Sequence, residues 1–289
     1  MFLKNLFYLA ILTFLFSCAG KAPSGETQRI ISLAPNITEI LFSLGVQGQI
    51  VGVSDYCNFP VGAKEKESIG GLFNPNLEKI TALKPDLILA TESYKNLAEK
   101  LGKDRFRIVL LPEKTVDDIY LTIDSIGVLT GTSLKAKKMV SDIRDSLDFY
   151  RSKSMDITPE AILVLGRDAG TTRNIGISGP GAFINELWVW TGGRNSFPDL
   201  DSPFVQINRE DLLHADPEII IEFKSNKNWG LSEVELNKEE WGDLQVPAVK
   251  NNTIFVITGN HFLIPGPRMY LLAKEYHKIL EQYHIRMLE

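Results

Sequence analysis

NPNLEKITALKPDLILAT (residues 74–91) and INREDLLHADPEIIIEF (207–223) carry one pattern at a spacing of 132 residues. Asn76 matches Asn208, Glu78 matches Glu210, Ile80 matches Leu212, Pro85 matches Pro217, Asp86 matches Glu218 and Ile88 matches Ile220. Each copy reads as an asparagine N-cap, a short helix, a proline that forbids continuation, and an apolar strand. A unit of this kind buries its strand only inside a larger α/β sheet. Its appearance twice predicts two similar α/β lobes.

Other stretches extend the same plan. RIISL (29–33), IVGV (50–53) and RIVLL (107–111) read as strands in the first half, and AILVL (161–165) and TIFVI (253–257) in the second. A second matched pair of helices follows the first strand of each half: Ile37 with Ile184, Glu39 with Glu186, Ile40 with Leu187, and Gly45 with Gly192. Strand–helix alternation predicts central, mostly parallel sheets covered on both faces, two Rossmann-like lobes in an α/β fold. Between them, residues 132–154 place Ala136, Val140, Ile143 and Leu147 on one stripe with charge elsewhere and no Gly or Pro. Such a segment makes a rigid helix of roughly 30 Å that bridges the lobes. The expected organisation is an N-terminal lobe over 28–131, the bridging helix over 132–154 and a C-terminal lobe over 155–289.

The 289 residues are 44% hydrophobic and 23% charged, with a formal net charge of −5. That balance supports a true core and excludes the basic footprint of a nucleic-acid binder. Lys4 and the apolar run Leu6–Phe16 have the form of a signal peptide over 1–17, too short to span a bilayer as a helix. LFSC (15–18) resembles a lipoprotein cleavage site, with Cys18 as the lipidated first residue of a tether over 18–27. The alternative is a plain signal peptide with an incidental cysteine.

A search for catalysis finds no His-Glu-x-x-His, Cys-x-x-Cys or Walker-type loop. GISGPG (176–181) lacks the glycine that a nucleophile elbow requires and reads as a loop feeding the helix at 182. Cys57 reads as a packed thiol, His277 and His284 as surface residues, and Arg167 and Arg173 as solvated loop charges. No catalytic residue, metal ligand or resident cofactor is assigned. In α/β sheets ligands sit beyond the carboxyl ends of strands. The loops read there are 34–36, 54–60, 70–74, 166–177 and 259–267, and they carry Asn36, Tyr56, Phe59, Phe73, His261 and Phe262. This aromatic set suits a large, partly apolar ligand. Asn36, Tyr56, Phe73, His261 and Phe262 form the candidate ligand set, to which Trp241 is added.

RIISLAPNITEILFSLG, VGVSDYCNFP, IGGLFNPNLEKITALKPDLIL, INREDLLHADPEIII and PGPRM together resemble the substrate-binding proteins of bacterial ABC importers for vitamin B12, iron-siderophores and haem. The resemblance implies the class III architecture of two lobes joined by one long helix. It also implies a monomer, exported and lipid-anchored to an envelope membrane, that works with a permease and ATPase complex. SDYCNFP and IGGLFNPNLE are most similar to the cobalamin-binding branch, which implies a corrinoid ligand contacted by Tyr56 and by residues near His261 and Phe262. That branch has a tryptophan where this chain has Phe73. A ferric siderophore or haem is the alternative ligand, and an extracytoplasmic enzyme the alternative class. The resemblance further implies that Glu78 and Glu210, one exposed acid per lobe, meet arginines of the permease.

Overall fold

The computed structural model describes residues 28–71, 74–102, 105–153, 156–225 and 231–288. Strands β1 (Ile30–Ser32), β2 (Ile50–Val53), β3 (Leu87–Thr91) and β4 (Ile108–Leu111) form a sheet in the order β2-β1-β3-β4. All its pairings are parallel, so each connection must cross over the sheet. Helices α1 (Pro35–Ser43), α2 (Leu77–Ala82) and α3 (Lys95–Leu101) make those crossovers. After β4, α4 (Val116–Leu129) leads into the 20-residue α5 (Ser133–Ser152). Ala136, Val140, Ile143 and Leu147 of α5 are its buried stripe.

The second sheet contains β5 (Glu160–Gly166), β6 (Ile175–Ser178), β7 (Arg194–Asn195), β8 (Phe204–Ile207), β9 (Ile219–Lys224) and β10 (Ile254–Thr258). Its path is β10-β9-β5-β6-β8, with β7 paired to β5. The β10–β9–β5 core and the β7 pairing are parallel, but β5–β6 and β6–β8 are antiparallel. Residues 167–174 connect β5 to β6 without a crossover helix, so β6 can only return antiparallel. The stretch read as a loop at 176–181 is therefore strand in its first part. The Ile175–Gly–Ile177 alternation buries both isoleucines. Helices α6 (Phe183–Trp190), α7 (Arg209–Ala215), α8 (Leu231–Glu239), α9 (Pro247–Lys250) and α10 (Tyr270–Leu288) complete the chain.

The repeated stretch has one physical explanation in both copies. The Asn76 side chain accepts from the N–H of Lys79, and Asn208 accepts from the N–H groups of Glu210 and Asp211. After each helix, Lys84 and Asp216 take the same left-handed turn with φ of 44°, and proline follows. The matched acid then anchors the neighbouring strand. Asp86 accepts from the Arg29 N–H at 2.7 Å, and Glu218 from the Glu160 N–H at 2.8 Å. In consequence β3 pairs with β1, and β9 with β5, in the same parallel sense.

The sheets share one hydrophobic core. A continuous buried cluster joins Ile31 and Leu89 of the first sheet to Leu163 and Ile221 of the second, through Ile119 of α4, Ile143 of α5 and Tyr276 of α10. Direct bonds reinforce it. The N–H of Phe183 donates to the Lys114 carbonyl at 2.6 Å, and the N–H of Val116 donates to Glu186 at 2.7 Å. Helix α5 is therefore not the sole link between the sheets. A second cluster, including Ile162, Val164, Ile220 and Trp241, covers the opposite face of the second sheet. Among the described residues, no helix is long and apolar enough to cross a membrane.

Candidate ligand-binding cleft

Strand ends from both sheets enclose a cleft of about 900 Å³. One wall is polar apart from Leu110: Glu92, Ser93 and Lys95 follow β3, while Leu110, Glu113 and Lys114 lie at the end of β4 and beyond it. The other wall is apolar: Leu165 lies next to the end of β5, Phe183 and Ile184 open α6, Phe204 begins β8, and Leu263 and Pro265 follow β10. Phe204 is 52% exposed, so its ring is free to meet a ligand. This is the place where strand carboxyl ends create a crevice in α/β proteins, and its volume suits a large small molecule.

The polar wall is held in place from several sides. The Pro112 carbonyl accepts from the Thr122 hydroxyl at 2.6 Å, and Asp118 accepts from the N–H groups of Lys114 and Thr115. Thr115 and Asp118 form a reciprocal capping box at the start of α4. The Lys114 carbonyl is already used by Phe183 of the opposite wall. Side chains are paired as well: the Ser93 hydroxyl donates to Glu113 at 2.5 Å, and the Lys114 ammonium lies 4.0 Å from Glu92. Behind them Tyr94 is buried, and burial pushes its phenol up to about 12.

The candidate residues are not all brought together. Asn36 sits in the first turn of α1, is buried, and its Nδ2 has no hydrogen-bond partner among the described residues. It adjoins Gly266, next to the cleft residue Pro265; a Cβ added at Gly266 would lie 3.5 Å from that of Asn36. Tyr56 follows β2 and is 51% exposed. His261 and Phe262 stack with ring centres 3.9 Å apart. They line a separate hollow of about 520 Å³ beside β10, α8 and α10, and it is Leu263 and Pro265 of their loop that line the cleft. Phe73 and Cys18 lie outside the described residues. Glu78 and Glu210 are exposed in the first turns of α2 and α7.

Three sequence expectations are corrected. Trp241 is no cleft residue: it is 0% exposed, packed beneath the second sheet, and donates its indole N–H to Glu222 at 2.9 Å. Arg167 is not a solvated loop charge. Its side chain is 1% exposed and bonds Glu222, Glu240 and the Thr171 carbonyl. An isolated arginine or glutamate there would carry a large desolvation cost, so the opposed charges are buried together. His277 is partly buried against Tyr150, 3.3 Å from Glu281. Cys57 is a buried thiol that accepts from Thr38, and burial raises its pKa above the ordinary value.

Sequence reasoning passed over Glu92, Ser93, Lys95, Glu113, Lys114, Phe183 and Phe204. The signal for the first five was present. LILAT (87–91) and RIVLL (107–111) read as strands from the sequence, and the strand-exit rule applies to the residues that follow them as well.

Comparison with known proteins places the chain. A sequence profile of the periplasmic binding protein family matches residues 30–260. The vitamin B12-binding protein of Pectobacterium atrosepticum is 28% identical over 277 residues, covering 93% of each chain. An uncharacterized ABC transporter substrate-binding lipoprotein of Bacillus subtilis is 27% identical over 249 residues, covering 84% of this chain and 77% of the relative. A possible iron-binding (periplasmic solute-binding) protein from Staphylococcus epidermidis superimposes with a TM-score of 0.75 at 29% identity, over 88% of this chain and 98% of that structure. The profile match spans most of the chain and both sheets, and the chain belongs to the periplasmic binding protein family.

Proposed function

We propose that the chain is an extracytoplasmic solute-binding lipoprotein of an ABC importer, and that it captures a corrinoid in the cleft and delivers it to the permease. The observation that carries the reading is the cleft itself: about 900 Å³, apolar on one wall and hydrogen-bonding on the other. A corrin ring offers the matching pair of an apolar face and a polar, amide-bearing edge. The vitamin B12-binding relative supports the same ligand class. In this reading the lipid is carried on Cys18. Glu78 and Glu210 are exposed feet, one beside each sheet, that meet cationic side chains of the permease. Two acids on one shared core fix an orientation of landing, and electrostatic pairing of this kind acts mainly on encounter and register.

The possible iron-binding relative keeps a second reading open, a ferric chelate or haem in the same cleft. Calorimetric titration of the purified protein with cyanocobalamin, cobinamide, haemin and ferric siderophores separates the two. The corrinoid reading expects saturable binding of the two corrinoids at one site. Binding of haemin or a ferric siderophore alone replaces it with the second reading.

A further inference from the structure

The two cleft walls differ in what they ask of a ligand. The apolar wall needs only a surface to cover it. The polar wall sets two carboxylates, Glu92 and Glu113, among two ammonium groups, Lys95 and Lys114, and one hydroxyl, Ser93. The carboxylates accept hydrogen bonds and the ammonium groups donate them. A primary carboxamide does both through one planar group, whereas a carboxylate on a ligand only accepts.

We propose that Glu92 and Glu113 are specificity-determining residues that select a macrocycle edged with neutral carboxamides over one edged with carboxylates. This rests on the cleft's assignment as a corrinoid site. A carboxamide edge gives N–H groups to Glu92 and Glu113 and carbonyls to Lys95 and Lys114. A carboxylate edge satisfies only the lysines. It also strips water from Glu92 and Glu113 without returning a donor, and places like charges against them. A site built to hydrogen-bond one group discriminates strongly against an analogue that cannot reciprocate.

The backbone that carries Glu113 has little freedom to avoid this mismatch. Residues 112–116 are fixed by Thr122, by Asp118, and by Phe183 and Glu186 from across the cleft. Glu113 is further held by the Ser93 hydroxyl. The Lys114 ammonium lies 4.0 Å from Glu92, and both side chains stay open to the cleft. A backbone held in this way keeps Glu113 at the cleft, so the ligand must adapt to it.

The test uses two corrinoids of one ring, cobinamide with its side-chain carboxamides and cobyrinic acid with those groups as carboxylates. Each is titrated calorimetrically into the purified wild-type protein and into the double variant Glu92→Gln/Glu113→Gln. Both glutamates are at the cleft surface, and circular dichroism verifies that the variant is folded. The wild type is expected to prefer the carboxamide form at least tenfold, and the double variant to narrow that preference by about tenfold. A preference that survives unchanged in the variant, or a wild type that binds the carboxylate form as well, overturns the inference while leaving the cleft a corrinoid site. A wild type that binds neither corrinoid overturns the site assignment, and the inference with it.

Discussion

Glu39 of α1 and Arg268, 229 residues later, meet through two hydrogen bonds of 2.6 and 2.8 Å. The Glu39 side chain is 3% exposed, and the guanidinium also lies 3.8 Å over the Phe59 ring. The matched glutamate of the second half, Glu186 of α6, reaches in the opposite direction to the N-terminus of α4. One glutamate in each copy of the repeated helix is thus spent on tying the first sheet's elements to those of the second half. Arg268→Met would leave the Glu39 carboxylate buried without its guanidinium, a loss of about 3 kcal/mol. The double variant Glu39→Gln/Arg268→Met should regain part of it. Chemical denaturation of the single and double variants measures the difference.

Glu186 carries a pH dependence of definite sign. Burial raises its carboxyl pKa above the ordinary 4.5, outweighing the stabilising bond from the Val116 N–H. The folded state therefore binds this proton more readily than the unfolded state does. Glu186 contributes stability that is fully present below the unfolded pKa and is lost as pH rises through the folded value. Glu186→Gln keeps an acceptor for Val116 without the charge. Its melting temperature should exceed that of the wild type at pH 7, and the gap should close towards pH 4. A gap independent of pH would show that the carboxyl is not the titrating group.

Trp241→Phe removes the indole N–H from Glu222, a carboxylate that also bonds Arg167. A cost of about 1–3 kcal/mol in stability follows from a buried charged acceptor losing a donor. Ligand affinity should stay within twofold of wild type by calorimetry, because the ring lies beneath the sheet and away from the cleft. A large affinity loss at unchanged stability would return Trp241 to the binding site.

Lys84 holds a left-handed backbone with φ of 44°. That conformation costs a lysine roughly 1–2 kcal/mol; glycine removes the strain, but its looser unfolded chain offsets part of the gain. Lys84→Gly should stabilise the protein by about 0.5–1 kcal/mol in urea denaturation, without effect on ligand binding.

Charge reversal of Glu78 or Glu210 to Lys addresses docking. Both side chains are exposed, so stability and ligand affinity should be unchanged while uptake in cells falls. Normal uptake by the double reversal would remove the docking assignment.

What the sequence made legible follows from the range of each interaction. The repeat is local: cap, helix, proline and strand lie within about 18 residues, so its reading transferred directly to α2–β3 and α7–β9. The acid–strand anchors, Asp86 on Arg29 and Glu218 on Glu160, depend on a pairing made 57 and 58 residues away, and only the fold shows them. The same holds for Arg167, whose partner Glu222 is 55 residues on and whose burial no local pattern announces. β6 and β8 are hidden by the turn-forming sequence around them: SGPG (178–181) closes the first, and PDLDSP (198–203) precedes the second. The cleft residues after β3 and β4 were within reach, since both strands were recognised. The other loops carry the aromatic residues that are the stronger local signal for a ligand, and the charged exits that line the cleft carry none of that signal.

The most direct test of ligand capture in the cleft compares wild type with Phe204→Asp by calorimetric titration with cyanocobalamin. Phe204 is half exposed on the apolar wall and begins an edge strand, so an aspartate there spoils the wall without touching the buried core. The account predicts saturable one-to-one binding by the wild type and at least a hundredfold weaker binding by a folded Phe204→Asp. Equal affinity of the two proteins for cyanocobalamin would contradict it.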